Sequence, residues 1–177
     1  MTAVRKLNLL FKCVRIRDKK LLVRLYCMYV RPTLEYCTPI WSPHLVGETR
    51  EVEKVQNLFT KKLLGPELRA GARREVLGLM SLQTRRQLAD LVCVFRLLRE
   101  PSQAVGALFS RSICTSTRGH SFKLAVQYSA RDFRKYHFFL RVIRFWNALP
   151  CTVVESNSVQ QFKARLVAYL SEGELMH

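Results

Sequence analysis

Acidic residues are scarce in this chain. Its 177 residues include 13 Asp and Glu against 30 Lys and Arg, which gives a net charge of +17. The three aspartates are Asp18, Asp90 and Asp132, and none is next to another acidic residue. A two-metal polymerase or nuclease site needs clustered carboxylates that hold two cations about 4 Å apart. We therefore predict that the chain has no catalytic or metal-binding residues, needs no cofactor and is not an enzyme on its own.

Other signatures of known chemistry are missing as well. No two cysteines are spaced C-x-x-C, and the histidines do not pair with them at zinc-finger spacing. The chain has no glycine-rich phosphate loop, no G-x-S-x-G and no H-E-x-x-H. A Cys/His nucleophile pair could be assembled in space, for instance from Cys37 and His44, but an inert structural thiol is the commoner state of a cysteine. We expect no small-molecule substrate.

Long apolar runs and disulfide patterns are also absent. No apolar run approaches the roughly 18 residues that span a bilayer, so we expect no membrane segment. The cysteines sit mostly among apolar neighbours, without a signal peptide or a disulfide framework. This usage predicts reduced thiols and a nuclear or cytoplasmic location.

Positive charge is what the chain has in excess. A net charge of about 2 to 8 is enough to keep a small domain soluble, and +17 is well above that. Most of the cations are arginines, whose planar forked side chain suits phosphate. A domain this positive resists compaction unless an anionic partner screens it. Nucleic acid is therefore the first candidate partner and an acidic membrane surface the second.

Hydrophobic periodicity predicts a mainly α fold. Residues 1–100 are expected to form a helical bundle, residues 101–121 a basic Ser- and Gly-rich linker, and residues 122–177 a small α+β tail. The tail is predicted to hold a short hairpin over 122–137 and two helices. The predicted helices cover about 4–14, 18–31, 47–64, 73–77, 81–99, 138–149 and 158–170.

The segment from Leu25 to Pro43 is expected to organise the bundle. Pro32 should end or kink the second helix, and residues 38–43 should form an extended corner around a buried Trp41. The aromatic residues predicted to form this corner's core are Tyr26, Tyr29, Tyr36 and Trp41. Trp146 is likewise expected to anchor the core of the tail.

Six segments follow one another in a recognisable order along the chain. They are VRPTLEYCTPIWSP at 30–43, EKVQNLFTK at 53–61, LGLMSLQTRR at 77–86 with the helix at 88–98, RGHSFKL at 118–124, RVIRFWNALP at 141–150, and SVQQFKARLVAYL at 158–170. Together, and in this order, they resemble the reverse transcriptases of non-LTR (LINE) retrotransposons, especially the jockey-like branch. The family's catalytic motif, an aromatic-Ala-Asp-Asp turn in the palm, lies upstream of this region and is absent here.

The resemblance implies a thumb-like bundle followed by a post-thumb tail. In the family this region would grip the primer–template duplex, and the tail would help to hold element RNA or target DNA in the nucleus. The implied partners are RNA, RNA–DNA or DNA duplex, and the missing fingers and palm, with Mg²⁺ needed only by the full polymerase. Independently, cations recur at helical spacing, in rows that can touch successive phosphates. The predicted nucleic-acid-binding residues are Lys20, Arg24, Arg31, Arg50, Lys54, Lys61, Arg118, Lys123 and Arg134.

Two other functions remain open from the sequence. The chain can be a truncated or repurposed retrotransposon fragment that acts as a helical protein-interaction module or has no selected function. It can also be a polymerase with a hidden active site, against which the lack of paired acids argues. Charge reversal of Lys54 and Lys61 separates the first of these from nucleic-acid binding, and primer extension tests the second.

Overall fold

A computed structural model describes residues 2–15, 18–99, 109–112 and 120–175, except for the side chains of Phe133 and residues 172–175. The described chain is mainly α-helical, as the sequence predicted. It divides into two compact units, Met1–Arg85 and Arg86–His177. None of the described helices is long and apolar enough to cross a bilayer.

The first unit is built from helices that pack around aromatic and aliphatic side chains. Its elements are α1 (Thr2–Cys13), α2 (Lys19–Leu25), a π-helical turn (Tyr26–Val30), α3 (Arg31–Glu35), α4 (Thr38–Trp41), α5 (Val46–Leu64), α6 (Ala70–Val76) and the start of α7 (Leu82–Leu97). Its buried core includes Leu7, Leu22, Tyr26, Val30, Phe59 and Leu79. α5 ends where predicted, because Gly65 adopts a positive φ of 85° that stops the helix.

The second helix does not end at Pro32, which was one of the two predicted outcomes for this proline. A π-helical turn precedes the proline, and the chain then continues as α3 to Glu35. Pro32 lacks an N–H, and its ring would crowd the carbonyl of Met28 in a regular α-helix. The wider turn, in which the Arg31 amide donates to the Tyr26 carbonyl, accommodates the proline without breaking the helix.

The corner around Trp41 also differs from its prediction. Residues 38–41 form a short helix, which tolerates Pro39 because it lies in the first turn. The Trp41 side chain is 39% exposed, and its indole N–H donates to the Tyr36 carbonyl. Tyr29 and Tyr36 are exposed as well, so Tyr26 is the predicted corner aromatic that the core buries.

The second unit packs helices around Trp146 and a stacked pair of phenylalanines. Its elements are the rest of α7, α8 (Asp132–Lys135), α9 (Phe138–Asn147), α10 (Cys151–Val154) and α11 (Val159–Leu175). Phe95 of α7 stacks on Phe162 of α11 with ring centres 4.1 Å apart. The chain therefore divides at 85/86, whereas the sequence placed the end of the first domain near residue 100. Most of the predicted 101–121 linker lies outside the described residues.

The hairpin predicted over residues 122–137 is not found. In the described part of the tail, β pairing is limited to one antiparallel bridge between Arg111 and Leu124, and Asp132–Lys135 is helical. Residues 130–137 are mostly polar, so a strand there would bury little apolar surface. The two predicted tail helices are present as α9 and α11, and Ser158 caps α11 by accepting a hydrogen bond from the Gln161 amide at 3.1 Å.

Candidate nucleic-acid interface

A row of three predicted cations lies along the exposed side of α5. Arg50, Lys54 and Lys61 are exposed and fall within about 40° of one another around the helix axis, on the side away from Val55 and Phe59. Along the axis they are separated by about 6 Å and about 10 Å. We call these three residues the α5 row.

The opposite side of α5 is fixed firmly in the first unit. Tyr26 stacks on Phe59 with ring centres 4.3 Å apart, and its hydroxyl donates to Gln56 Oε1 at 3.1 Å. The Gln56 amide in turn donates to the Met80 carbonyl at 2.9 Å. Burial raises the pKa of Tyr26 well above its usual range, so its hydroxyl stays protonated and keeps donating. The α5 row is therefore displayed on a helix that cannot roll without breaking these buried contacts.

One member of the α5 row has a neighbouring acid. Lys54 forms an ion pair with Glu51, one turn away, and both side chains are 67% exposed. Exposed pairs of this kind contribute little free energy, because water and salt screen them. A phosphate can therefore compete for Lys54. The side chains of Arg50 and Lys61 form no salt bridge within the described residues.

The three cations predicted on the second helix do not share one face. Lys20 and Arg24 are exposed on α2, four residues apart. Arg31 is only 22% exposed, and its Nε lies 3.8 Å from the Glu35 carboxylate. The π-helical turn adds one residue to the helix, which rotates the residues after it by about 100°. This rotation separates Arg31 from Lys20 and Arg24.

Glu35 binds a second arginine, and this makes Arg31 part of a cluster. Arg85 donates to both Glu35 oxygens, with Nη2 to Oε2 at 2.9 Å. The hydrogen bond to Glu35 raises the pKa of Arg85. Glu35 thus faces two arginines in the first unit, and Arg31 and Arg85 together leave one positive charge uncompensated.

Sequence reasoning missed cations on α1. Arg5 and Lys12 are exposed on the side of α1 opposite the buried Leu7 and Leu10. The signal was available, because the two cations are seven residues apart, which is two helical turns. Lys62 also faces α1, since its Nζ donates to Asn8 Oδ1 at 2.8 Å and lies 5.4 Å from the centre of the Phe11 ring.

The predicted basic residues of the tail are less closely grouped. Arg134 is exposed in α8, whereas Lys123 is half-buried, and its carbonyl accepts a hydrogen bond from the Ser112 amide at 2.9 Å. Arg118 lies outside the described residues. The structure therefore brings together the α5 row and, on another helix, the pair Lys20 and Arg24. The other predicted residues that the structure describes, Arg31, Lys123 and Arg134, lie on neither of these surfaces.

The segments around His120 and Asn147 contact each other through hydrogen bonds between side chains and backbone groups. The Trp146 indole donates to the Phe122 carbonyl at 2.8 Å, and the buried His120 bridges the Phe122 amide and the Trp146 carbonyl. Nδ1 of His120 accepts the Phe122 N–H, so Nε2 carries the proton that is donated to Trp146. Trp146 is thus a core anchor, as predicted. His120, which was not predicted as a structural residue, is fully occupied by these contacts.

Metal-ligating side chains do not cluster in the part of the chain that the structure describes. No group of three or more His, Cys, Asp or Glu residues there is placed to hold a metal ion. The buried Asp90 is bound by Arg141, whose Nη2 lies 3.0 Å from Oδ2. Burial raises the pKa of the Cys93 thiol, which makes it a poor nucleophile.

Comparisons with protein-family models, with curated proteins and with solved structures found no match to this chain.

Proposed function

We propose that this chain is a noncatalytic, nucleic-acid-binding portion of a LINE-type RNA-directed DNA polymerase, and that it grips a primer–template duplex through exposed basic helix faces. The α5 row is the observation that carries this proposal. Its three cations are exposed, share one side of one helix and are held in place by buried contacts on the other side. The sequence resemblance supports the family, and a family that copies its RNA at nuclear DNA would place the chain in the nucleus.

The spacing of the α5 row suits a phosphate backbone. Successive phosphates of one strand lie several ångströms apart. Neighbouring cations of the α5 row are about 6 Å and about 10 Å apart along the helix axis, so two or more of them can contact phosphates of the same strand. Each neutralised phosphate releases counterions, so binding should weaken steeply with salt. Lys20 and Arg24 on α2 supply further exposed positive charge. These contacts would hold a duplex without reading its sequence.

The first test is charge reversal in the α5 row. We expect the double variant Arg50→Glu/Lys61→Glu to bind a labelled RNA–DNA duplex roughly 10- to 100-fold more weakly than the wild type, and its salt slope to be lower by about two. Fluorescence anisotropy between about 50 and 200 mM salt measures both quantities. Both residues are exposed, so the fold should be retained, which circular dichroism checks.

A matched control uses a cation outside the row. Arg69 is exposed in the loop before α6, and Arg69→Glu changes the charge in the same way. It should leave most of the duplex affinity intact. If Arg69→Glu weakens binding as much per charge as the row variants do, the attraction comes from net charge alone and the α5 row is not the site.

The two arginines predicted on the second helix should behave differently. Arg24 is exposed, whereas Arg31 is engaged by Glu35. We expect Arg24→Gln to weaken duplex binding by a few-fold and to lower the salt slope by about one, and Arg31→Gln to leave the slope nearly unchanged. The same anisotropy titration measures both variants. Equal losses of slope would contradict the assignment of Arg31 to the Glu35 cluster.

The alternative function, a helical module that binds another protein, is favoured by one feature of the first unit. Large apolar side chains are exposed near the start of α4 and α5, including Tyr36, Ile40 and Val46. Exposed apolar patches often mark interaction surfaces. If this is the function, the Arg50→Glu/Lys61→Glu variant should bind duplex no differently from the wild type.

A further inference from the structure

The second unit contains an open cavity, lined by charged and apolar residues, that the α5 row does not involve. Its volume is about 430 Å³, within the range of small-ligand sites. Side chains from three places line it: Tyr128 in the loop before α8, Asp132 and Lys135 in α8, and Leu140 with Arg144 one turn apart in α9. Nothing near Tyr128 in the sequence connects it with α9.

The charges of the cavity favour an anionic ligand. Two cations, Lys135 and Arg144, and one carboxylate, Asp132, are among the lining residues. Both cations are exposed, and neither forms a salt bridge within the described residues. Arg144 is on the outer side of α9, opposite Val142 and Trp146, because a buried arginine there would lack a partner. A guanidinium and an ammonium that line one cavity can both attract a phosphate.

The rest of the lining favours a flat ring. Tyr128 is 91% exposed, which leaves both faces of its ring open, and Val126 and Leu140 provide apolar surface beside it. A tyrosine with almost no burial contributes little to the core, whereas exposed aromatic side chains serve as platforms for bases. The Ser129 hydroxyl donates to the Arg131 carbonyl at 3.1 Å and shapes the turn that follows Tyr128.

We propose that this cavity binds one unstacked nucleotide of a single strand. Its phosphate would contact Arg144 and Lys135, its base would stack on Tyr128, and an exocyclic amine of the base would donate a hydrogen bond to the Asp132 carboxylate. An anionic group and a flat ring on one small ligand describe a nucleotide, and a carboxylate is the acceptor that matches the amine of cytosine. The proposal rests on the nucleic-acid binding proposed above, but it uses other residues and a different form of nucleic acid.

The experiment measures binding of labelled oligocytidine and oligouridine, each of about eight nucleotides, to the full chain by fluorescence anisotropy. We expect oligocytidine to bind more tightly. Tyr128→Ala should weaken its binding roughly 5- to 100-fold, whereas Tyr128→Phe should retain it, because stacking needs the ring and not the hydroxyl. Asp132→Asn should abolish the preference for cytosine, since an amide can also donate to uracil.

Matched controls separate the cavity from the general charge of the chain. Tyr36→Ala removes another exposed tyrosine, and Lys163→Gln removes an exposed cation of α11. Neither should change oligocytidine binding appreciably, whereas Arg144→Gln should weaken it and lower the salt slope by about one. The proposal is overturned if Tyr128→Ala binds as the wild type does, or if Lys163→Gln costs as much as Arg144→Gln.

Two further measurements distinguish this cavity site from the proposed duplex binding by the α5 row. The deoxycytidine oligonucleotide shows whether the ribose hydroxyl matters, because the proposed contacts do not require it and predict similar binding. Duplex binding should be unaffected by Tyr128→Ala, and oligocytidine should still bind to Arg50→Glu/Lys61→Glu. Loss of duplex binding in Tyr128→Ala would contradict the separate cavity site, whereas unchanged duplex binding in the row variant would contradict only the α5 row.

Discussion

Replacing Arg141 with methionine is expected to destabilise the protein by about 3–5 kcal/mol, because it leaves a buried carboxylate without its main partner. Arg141 contacts Asp90 with Nε and Nη2, at distances of 3.0 to 3.2 Å, and the Asp90 side chain is only 5% exposed. Chemical denaturation monitored by circular dichroism measures the loss. A change below about 1 kcal/mol would mean that the pair is not formed in solution.

The loss should also depend on pH. Burial raises the pKa of Asp90, and the charges of Arg141 and Arg86 oppose that shift. Without Arg141 the pKa of Asp90 rises further, so the folded variant binds a proton more tightly than its unfolded chain does. Its stability relative to the wild type is therefore lowest at neutral pH and recovers as the pH falls through the raised pKa of Asp90 in the variant, which lies above the ordinary aspartate value of about 4.

Two further variants identify the cause. Arg141→Lys keeps the charge but loses the forked contact with Asp90. Its free energy of unfolding should lie between those of Arg141→Met and the wild type. The double variant Asp90→Leu/Arg141→Met removes both charges and should recover most of the loss, because no isolated carboxylate remains. The single variant Asp90→Leu completes the comparison. If the double variant loses as much stability as Arg141→Met and Asp90→Leu lose together, the destabilisation comes from lost packing rather than from an unpaired charge.

Local signals in the sequence predicted the elements that depend on local chemistry. α5 was expected over 47–64 and spans Val46–Leu64, since its apolar period and Gly65 define it without help from the rest of the chain. Ser158 was expected to cap the last helix and does so. For the same reason the α5 row could be read from the sequence, because cations four and seven residues apart share one side of any α-helix.

The parts that were missed depend on distant partners. Asp90 and Arg141 are 51 residues apart, and nothing near either one indicates the other. Arg31 was predicted to share a helix face with Lys20 and Arg24, which requires a regular α-helix. The π-helical turn before Pro32 rotates Arg31 away from that face. Trp41 was expected in the core because tryptophan is usually buried there, but residues 38–41 form a helix that leaves it partly exposed. The cavity at Tyr128 is lined by one loop and two helices, so the sequence of no single segment indicates it.

Asn147 serves as the hydrogen-bonding partner that a neighbouring strand would supply to Leu124. On one side of the segment around Leu124, the Ala125 amide donates to the Ser110 carbonyl at 2.8 Å, next to the β-bridge between Arg111 and Leu124. On the other side, the Leu124 N–H donates to Asn147 Oδ1 at 2.9 Å, and the Asn147 amide donates to the Leu124 carbonyl at 2.8 Å. Leu124 is buried, so water cannot replace these two bonds readily.

Asn147→Ala is therefore expected to destabilise the protein by about 3–5 kcal/mol, since it leaves a buried N–H and a buried C=O of Leu124 unsatisfied. Denaturation curves measure the loss, and hydrogen exchange should show the Leu124 amide losing protection below global unfolding. The matched control is Asn157→Ala at an exposed position, which should change stability by about 0.5 kcal/mol or less. A protected Leu124 amide in Asn147→Ala would contradict this role. The expected result would show that the hydrogen bonds between residues 120–124 and residues 146–147 help to build the second unit.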